Sequence, residues 1–430
     1  MSRRRVTVDS IARVEGEGAL DLTIEDGRIT ALALSIFEAP RFFEALLVGR
    51  DHREAPDLTA RICGICPVAY QMSAVHAIER GAAVTLPPTL RALRRLLYCG
   101  EWIESHTLHV HLLHAPDFLG LPDVMALAEQ APEAVRRGLE LKRAGNALVA
   151  LLGGREIHPV NVRVGGFHRL PRRAELAAQR EPLLRARDLA LEVVRWVATL
   201  EVPEHRIDAP LVALRHADEY PMNEGRIAST GGLDVAAEDF EAVLEERQVP
   251  HSTALQAVLR DEGVYLTGPL ARHALNRPRL TPLALEAAEA AGLEPGCRNP
   301  FRSILVRAVE VLHACDEAVA ILGRDDLDLD GPAAVDVAPP ARGCAATEAP
   351  RGLLYHRYDL APDGLLAAAR IVPPTSQNQA AIEDDLRRCL APRVAEDDEA
   401  LATHAERVVR NHDPCISCAT HFLRVNVERR

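Results

Sequence analysis

Two Cys-x-x-Cys pairs, Cys63 and Cys66 in RICGICPVAY and Cys415 and Cys418 in DPCISCATH, stand roughly 350 residues apart. Either pair can offer two thiolates to one ion from a single short turn. A structural zinc site recruits its second pair within a few tens of residues, because the local fold is what the metal organises. The gap here argues against that arrangement. A thioredoxin-like redox pair accounts for one motif, not two, and needs a βαβ setting that the sequence does not show. The third arrangement brings both ends of the chain to one buried four-thiolate site. Soft thiolates select nickel, copper(I), zinc or iron clusters over magnesium and calcium.

The other five cysteines (Cys99, Cys297, Cys315, Cys344 and Cys389) are scattered singly and read as small apolar side chains. Nine cysteines, an odd number spaced unlike a disulfide framework in 430 residues, speak against a stapled secreted domain. With 62 Asp and Glu against 50 Lys and Arg, a formal charge of −12, and no basic stripe with interleaved aromatics, nucleic acid is not the expected partner. MSRRRVTVDS is basic but runs into polar residues, which does not fit a secretory signal. No apolar run has the length of a membrane span. A soluble, cytoplasmic protein is the expectation.

In LDLTIEDGRITALALS, Leu20, Leu22 and Ile24 alternate ahead of Asp26-Gly27, a strong two-residue hairpin signal. A second hairpin is expected where LLYHRYDL and LLAAARIV flank Ala361–Gly364. Between them, helical spacing predominates: Leu90, Leu93, Leu97 and Trp102 after Pro87-Pro88, and Ile304, Leu305, Ala308, Val311, Leu312, Cys315 and Val319 further on. Further helices are expected across 131–152, 172–200 and 235–246, and the Pro- and Ala-rich stretch 331–350 reads as a long irregular connection. The fold class is therefore mainly α with small β elements (α+β): a large helical body whose N- and C-terminal segments converge on a buried metal site. One domain is expected over 1–421, β-rich over 1–40 and mainly helical over 85–325, with 345–421 carrying the second cysteine pair.

RICGICPVAY and DPCISCATH resemble the two cysteine motifs of the large, catalytic subunit of nickel–iron hydrogenases. IARVEGEG (11–18), PRFFEALLVGRD (40–51, with Phe42 in place of the family's glycine), HLLHAPDFLG, IHPVNVRVGG (157–166) and EAPRGLLYHR (348–357) resemble further segments of that family, in the family's order. IVPPTSQNQ departs from the family's corresponding stretch, and 170–345 matches no motif. The resemblance implies the hydrogenase large-subunit fold and reversible, heterolytic cleavage of dihydrogen into protons and electrons. Cys63 and Cys415 would be terminal ligands of nickel. Cys66 and Cys418 would bridge nickel to an iron that carries cyanide and carbon monoxide.

Residue by residue, the same resemblance implies that Cys415 is the first proton acceptor and Glu15 the relay carboxylate beside it. Arg351 would hang its guanidinium over the open side of the metals and donate to iron-bound cyanide, held there by Asp117 and Asp413 because a buried arginine must be paired. Pro350 would help aim that backbone, and Thr375 would hydrogen-bond the second cyanide. Glu44 and His421 would hold a structural magnesium or similar divalent ion. Four histidines crowd SHTLHVHLLH (His106, His109, His111 and His114), but on a helix they cannot all converge, so packed and hydrogen-bonded histidines are the better reading, as for His76.

No iron–sulfur motif and no nucleotide fingerprint is present, GGLDV and LLGGR lacking the glycine spacing. The resemblance therefore implies an iron–sulfur small subunit and further subunits that bind flavin and nicotinamide, NADP being expected from the likeness to the cytoplasmic bidirectional sulfhydrogenase group. It also implies nickel and iron insertion factors and a maturation protease that removes FLRVNVERR, 422–430. The readings set against this one are NAD, a deazaflavin coenzyme or sulfur and polysulfide as acceptor, a hydrogen-sensing subunit with little turnover, a structural subunit of a respiratory complex, and a plain zinc protein.

Overall fold

The computed structural model describes residues 3–38 and 42–421; the expected extension 422–430 lies outside the described residues, as do Pro40 and Arg41 of the PRFFEALLVGRD stretch. The first three strands, Arg3–Val8, Gly18–Glu25 and Arg28–Ile36, form an antiparallel meander. Asp26 (φ 49°) and Gly27 (φ 76°) make the turn between the second and third, the two positive φ values that an Asp-Gly hairpin supplies. Leu20, Leu22 and Ile24 point inward on alternate positions and pack on Ile382, Leu386 and Val408 of the C-terminal helices.

The helical body is built on four long helices, Pro88–Leu108, Pro132–Gly153, Arg173–Val197 and Ser303–Leu322. The first two meet backbone to backbone at Gly100 and Gly145. A Cβ on Gly145 would lie 2.7 Å from both Glu104 N and Gly100 O, so only glycine permits that crossing. The Pro88–Leu108 helix widens into a π-helical turn at His109–His114. Pro116, two residues on, has no N–H to return to the Leu112 carbonyl, and the wider turn accommodates that loss.

A second meander, Arg342–Ala349, Gly352–Leu360 and Leu366–Val372, contains the second expected hairpin and packs on the Pro67–Gly81 helix that follows Cys66. Three expectations are corrected here. The 235–246 helix shrinks to a 3-10 turn, Ala237–Asp239, and one α-turn, Phe240–Val243, after which Leu244–Gln248 pairs with Leu255–Leu259. The irregular connection 331–350 ends in the strand Arg342–Ala349, whose alanine-rich sequence has little intrinsic strand preference and is held by pairing along its whole length. The body over 85–325 is interrupted by a four-stranded sheet, ordered Leu266–Thr267, Leu211–Arg215, Arg226–Ser229 and Asp234–Val235. Short strands of this kind carry too few residues for periodicity to expose. The four motif cysteines lie in the main hydrophobic core, between these layers. No helix among the described residues is long and apolar enough to cross a membrane.

Candidate metal centre

Cys63 leaves a short 3-10 turn in extended conformation, and Cys66 immediately precedes Pro67 at the start of the Pro67–Gly81 helix. That helix start is capped from a distance. Glu101 accepts hydrogen bonds from Val68 N (2.6 Å) and Ala69 N (3.0 Å), the orphan donors left after Pro67. Cys415 opens the short helix Ile416–Ala419, which carries Cys418. Its own N–H is held by Thr375 Oγ1 at 2.9 Å, which leaves the threonine hydroxyl hydrogen free to donate.

All four sulfurs are buried and lie within 4.8 Å of one another. The cross-pair distances are 3.5 Å for Cys63–Cys415 and 3.7 Å for Cys66–Cys418. Four thiolates about 2.3 Å from a tetrahedral ion would be about 3.8 Å apart, so these sulfurs fit an ion with little movement. The Cys415–Cys418 edge, at 2.7 Å, has to open. Burial and then the neighbouring cysteines push the Cys415 thiol well above the ordinary thiol range, and burial pushes Cys418 up to about 11. Protons must leave when a cation enters, so loading is proton-coupled.

Above the cluster the chain folds back at Pro350-Arg351. Arg351 is buried; its Nη2 donates to Asp413 Oδ1 (3.1 Å) and its Nη1 to Ser105 Oγ (3.3 Å). Burial works against the guanidinium charge, but Asp413 and the cysteine sulfurs hold it firmly protonated. Its buried Nε has no hydrogen-bond partner among the described residues, a donor that a small acceptor ligand on a metal would satisfy. Arg307 lies behind Asp413, with its Nε 3.9 Å from Asp413 Oδ2.

Asp117 does not hold Arg351. It takes Arg410 bidentately at 2.7 and 2.9 Å and Arg13 at 2.5 Å. The π-helical turn sets the Ala115–Phe118 helix toward these two arginines, one layer away from the centre. The four clustered histidines are packed side chains, and of the hydrogen bonding expected of them His109 and His114 make theirs. His109 Nε2 lies 2.9 Å from the Arg410 carbonyl, His114 Nε2 3.0 Å from Asn411 Oδ1 and His106 Nε2 3.0 Å from Glu310, while His111 stacks on Trp196. His76 is buried too.

The opposite flank is carboxylate-rich. Glu15 runs beside Cys415 as a parallel bridge, its carbonyl taking Ile416 N (2.9 Å) and its carboxylate Ser417 N (3.1 Å). Ser417 Oγ donates to Glu38 Oε1 at 3.2 Å, and the same oxygen takes Glu17 N at 2.7 Å. Glu44 and His421 come together: His421 Nε2 lies 3.0 Å from Glu44 Oε2, while Glu44 Oε1 accepts from Ile371 N at 2.7 Å. Each keeps about a quarter of its side chain exposed, at 27% and 25%.

Glu38, Glu101 and Arg307 escaped the sequence reading. Only Glu101 left a signal, since it continues the Leu93, Leu97 spacing and so puts a charge on an apolar helical stripe.

Comparison with known proteins agrees with this geometry. The nickel-dependent hydrogenase family matches residues 41–137. The sulfhydrogenase 1 alpha subunit of Pyrococcus furiosus is 31% identical over 98% of this chain and 98% of its own. The beta subunit of the NAD-reducing hydrogenase HoxS of Cupriavidus necator is 27% identical over 98% and 95%. Among solved structures, a crystal structure of an NAD+-reducing [NiFe]-hydrogenase in the H2-reduced state superposes with a TM-score of 0.88 at 30% identity, covering 97% of this chain and 99% of that one.

Proposed function

The chain belongs to the nickel-dependent hydrogenases, as the catalytic large subunit of such an enzyme, and we propose that Cys63, Cys66, Cys415 and Cys418 hold its nickel–iron centre. Nickel would be bound by all four thiolates, with Cys66 and Cys418 bridging to an iron that carries cyanide and carbon monoxide. When bound, the two metals supply the Lewis-acid and redox chemistry that polarises dihydrogen and accepts its two electrons.

The observation that carries this reading is the meeting of both pairs in one buried cluster, crossed by a guanidinium on one side and a carboxylate on the other. Cys415 is the first proton acceptor, its backbone bridged to that of Glu15. The Glu15 carboxylate takes the proton onward. Ser417, held by Glu15 at its N–H and bonded to Glu38 through its hydroxyl, keeps the two half-buried carboxylates on one flank, and the proton exits on that side. Arg351, fixed by Asp413, aims its free Nε–H at the cyanide side and steadies charge as the H–H bond polarises. Pro350 restricts the backbone before it, and Thr375 offers its hydroxyl hydrogen to the second cyanide.

Glu44 and His421, whose side chains meet at 3.0 Å, would hold magnesium or a similar divalent ion. Asp117, which locks Arg410 and Arg13, supports this site from a distance. The Gly64-Ile65 loop between the first cysteines is partly exposed and lies beside the exposed Ile157. Electrons leave there to an iron–sulfur subunit, and from it to a nicotinamide cofactor, NADP by likeness to the sulfhydrogenases, on a cytoplasmic flavin-bearing partner. Nickel and iron insertion factors and a protease acting on 422–430 belong to the same reading.

An infrared spectrum of the processed complex tests the centre. Cyanide and carbon monoxide stretches that shift under hydrogen are expected. A blank spectrum from a nickel-loaded, processed chain would overturn the proposal.

A further inference from the structure

The stretch 170–345, silent in motifs, contributes a second arginine whose surroundings differ from those of an ordinary buried ion pair. Arg272, in the Pro269–Asn276 helix, is wholly buried and uses all five of its N–H donors. Nε and Nη2 grip Glu310 at 2.7 Å each. Nη1 reaches Glu348 Oε2 at 3.1 Å. The last two donors go to backbone, Nη1 to the Ala349 carbonyl and Nη2 to the Pro350 carbonyl, both at 2.9 Å.

Those two carbonyls immediately precede Arg351. The carbonyl before them, of Glu348, is taken by the Trp102 indole N–H at 3.0 Å, and Trp102 lies under the Arg272 guanidinium at 4.5 Å. Three consecutive carbonyls leading into Arg351 are thus pinned by two side chains that stack on one another. On the far side Thr267 Oγ1 takes Leu353 N at 2.8 Å, and Gly268 lets its strand run past the Arg351 carbonyl, where a Cβ would come within 2.8 Å. A turn between two strands needs none of this to form. The surplus constraint falls on one backbone position.

We propose that Arg272 is the positioning residue of Arg351, its planar fork fixing the turn from which the Arg351 guanidinium reaches over the metal-binding cysteines. The inference rests on the reading of Arg351 given above. Glu310 supplies the charge partner that lets Arg272 stay buried. Glu348 is a surplus carboxyl, pushed up to about 7 by its burial although Arg272 pulls it back. A lysine at 272 would keep the charge on Glu310 but lose the fork that spans two carbonyls.

The test is a cycle of R272K, R351K and the double variant, each purified as the metal-loaded complex with its partner subunits. Nickel and iron content, the cyanide stretching bands, and kcat and KM for hydrogen oxidation are measured. R272K is expected to keep both metals, move the cyanide bands as R351K does, and lower kcat on the order of 10- to 100-fold with little change in KM. The double variant is expected to be no slower than R351K alone, because both changes act through one guanidinium. Parental bands and kcat in R272K, or losses that multiply in the double variant, would overturn the proposal in favour of a purely structural ion pair. A parental kcat in R351K would remove the role of Arg351 itself, and the proposal with it. Should R272K give no loaded complex, W102L takes away the ring on which the Arg272 guanidinium lies and so displaces the fork while its charge is kept. A displaced cyanide band with a kcat lowered about tenfold or less supports the assignment; unmoved bands and kcat end it.

Discussion

On one flank of the cysteines stand Arg351, Asp413, Arg307 and Arg272, none more than 2% exposed; on the other stand Glu15 and Glu38, both half-buried. Charge is present on both sides, but it is handled in opposite ways. The arginine flank is dry, and its charges are tied into a lattice that includes main-chain carbonyls. Removing one partner there leaves an uncompensated buried ion. The carboxylate flank holds its groups through a few hydrogen bonds to Ser417 and the backbone, near water, where a proton can be taken up and passed on. A centre that splits a bond into charged halves needs fixed charge on one side and mobile protons on the other.

The cysteines common to both flanks give the largest expected effect. Replacing Cys415 by serine should abolish nickel retention and hydrogen uptake together. A serine variant that keeps nickel and turns over at the parental rate would break the comparison at its centre.

On the open flank, Glu15→Gln should slow proton–deuteron exchange on the order of 10²- to 10⁴-fold while nickel, iron and the unfolding midpoint stay as they are. Normal exchange in that variant would take Glu15 out of the relay. On the dry flank the readout is stability. Asp413→Ala takes away the carboxylate that Arg351 and Arg307 share and should cost about 3–5 kcal/mol in chemical denaturation. A cost below about 1 kcal/mol would show that this flank is not held by ion pairing.

Glu38→Gln should sharpen the contrast with a smaller loss, about tenfold or less in exchange rate, since a half-buried carboxylate further from the cysteines is more readily replaced by water.

The smallest effect concerns the histidines behind the arginine flank. Burial holds His111 down at about 3 and His106 at about 4, so both are neutral in the folded chain at neutral pH. The unfolded chain binds a proton at each near 6.5. Stability is therefore full above pH 6.5 and drains as pH falls from there toward 3 or 4, by up to about 1.4 kcal/mol per pH unit for each group. His111→Gln should flatten the decline of the urea midpoint between pH 7 and 5. An unchanged slope would mean that His111 is not buried neutral.

Legibility followed the same division. Glu15, Arg351, Thr375, Glu44 and His421 sit in short motifs, each within a few residues of a cysteine in space, and resemblance could place them. Asp117 also sits in a motif, yet the π-helical turn before it sends its carboxylate to Arg410 and Arg13. A motif gives the residue and leaves its partner to the packing. Arg272 belongs to no motif, and its function depends on carbonyls some 77 and 78 residues further along the chain. Periodicity found the long helices and both hairpins, where many residues repeat one preference. It missed Leu244–Gln248 and Arg342–Ala349, which are strands because of the neighbours they pair with.

The sequence by itself determined the proposed ligand set, two thiols towards each end of the chain, and with it the need for a fold that brings those ends together in a core. Local chemistry suffices for that, because a Cys-x-x-Cys turn and an Asp-Gly hairpin are complete within a few residues. Only the tertiary structure decided which carboxylate holds which arginine, which flank is dry, and which side chains pin the turn before Arg351. Those outcomes depend on burial and on contacts between residues far apart in the chain, where the cost of an unpaired charge selects among partners that the linear order leaves equivalent.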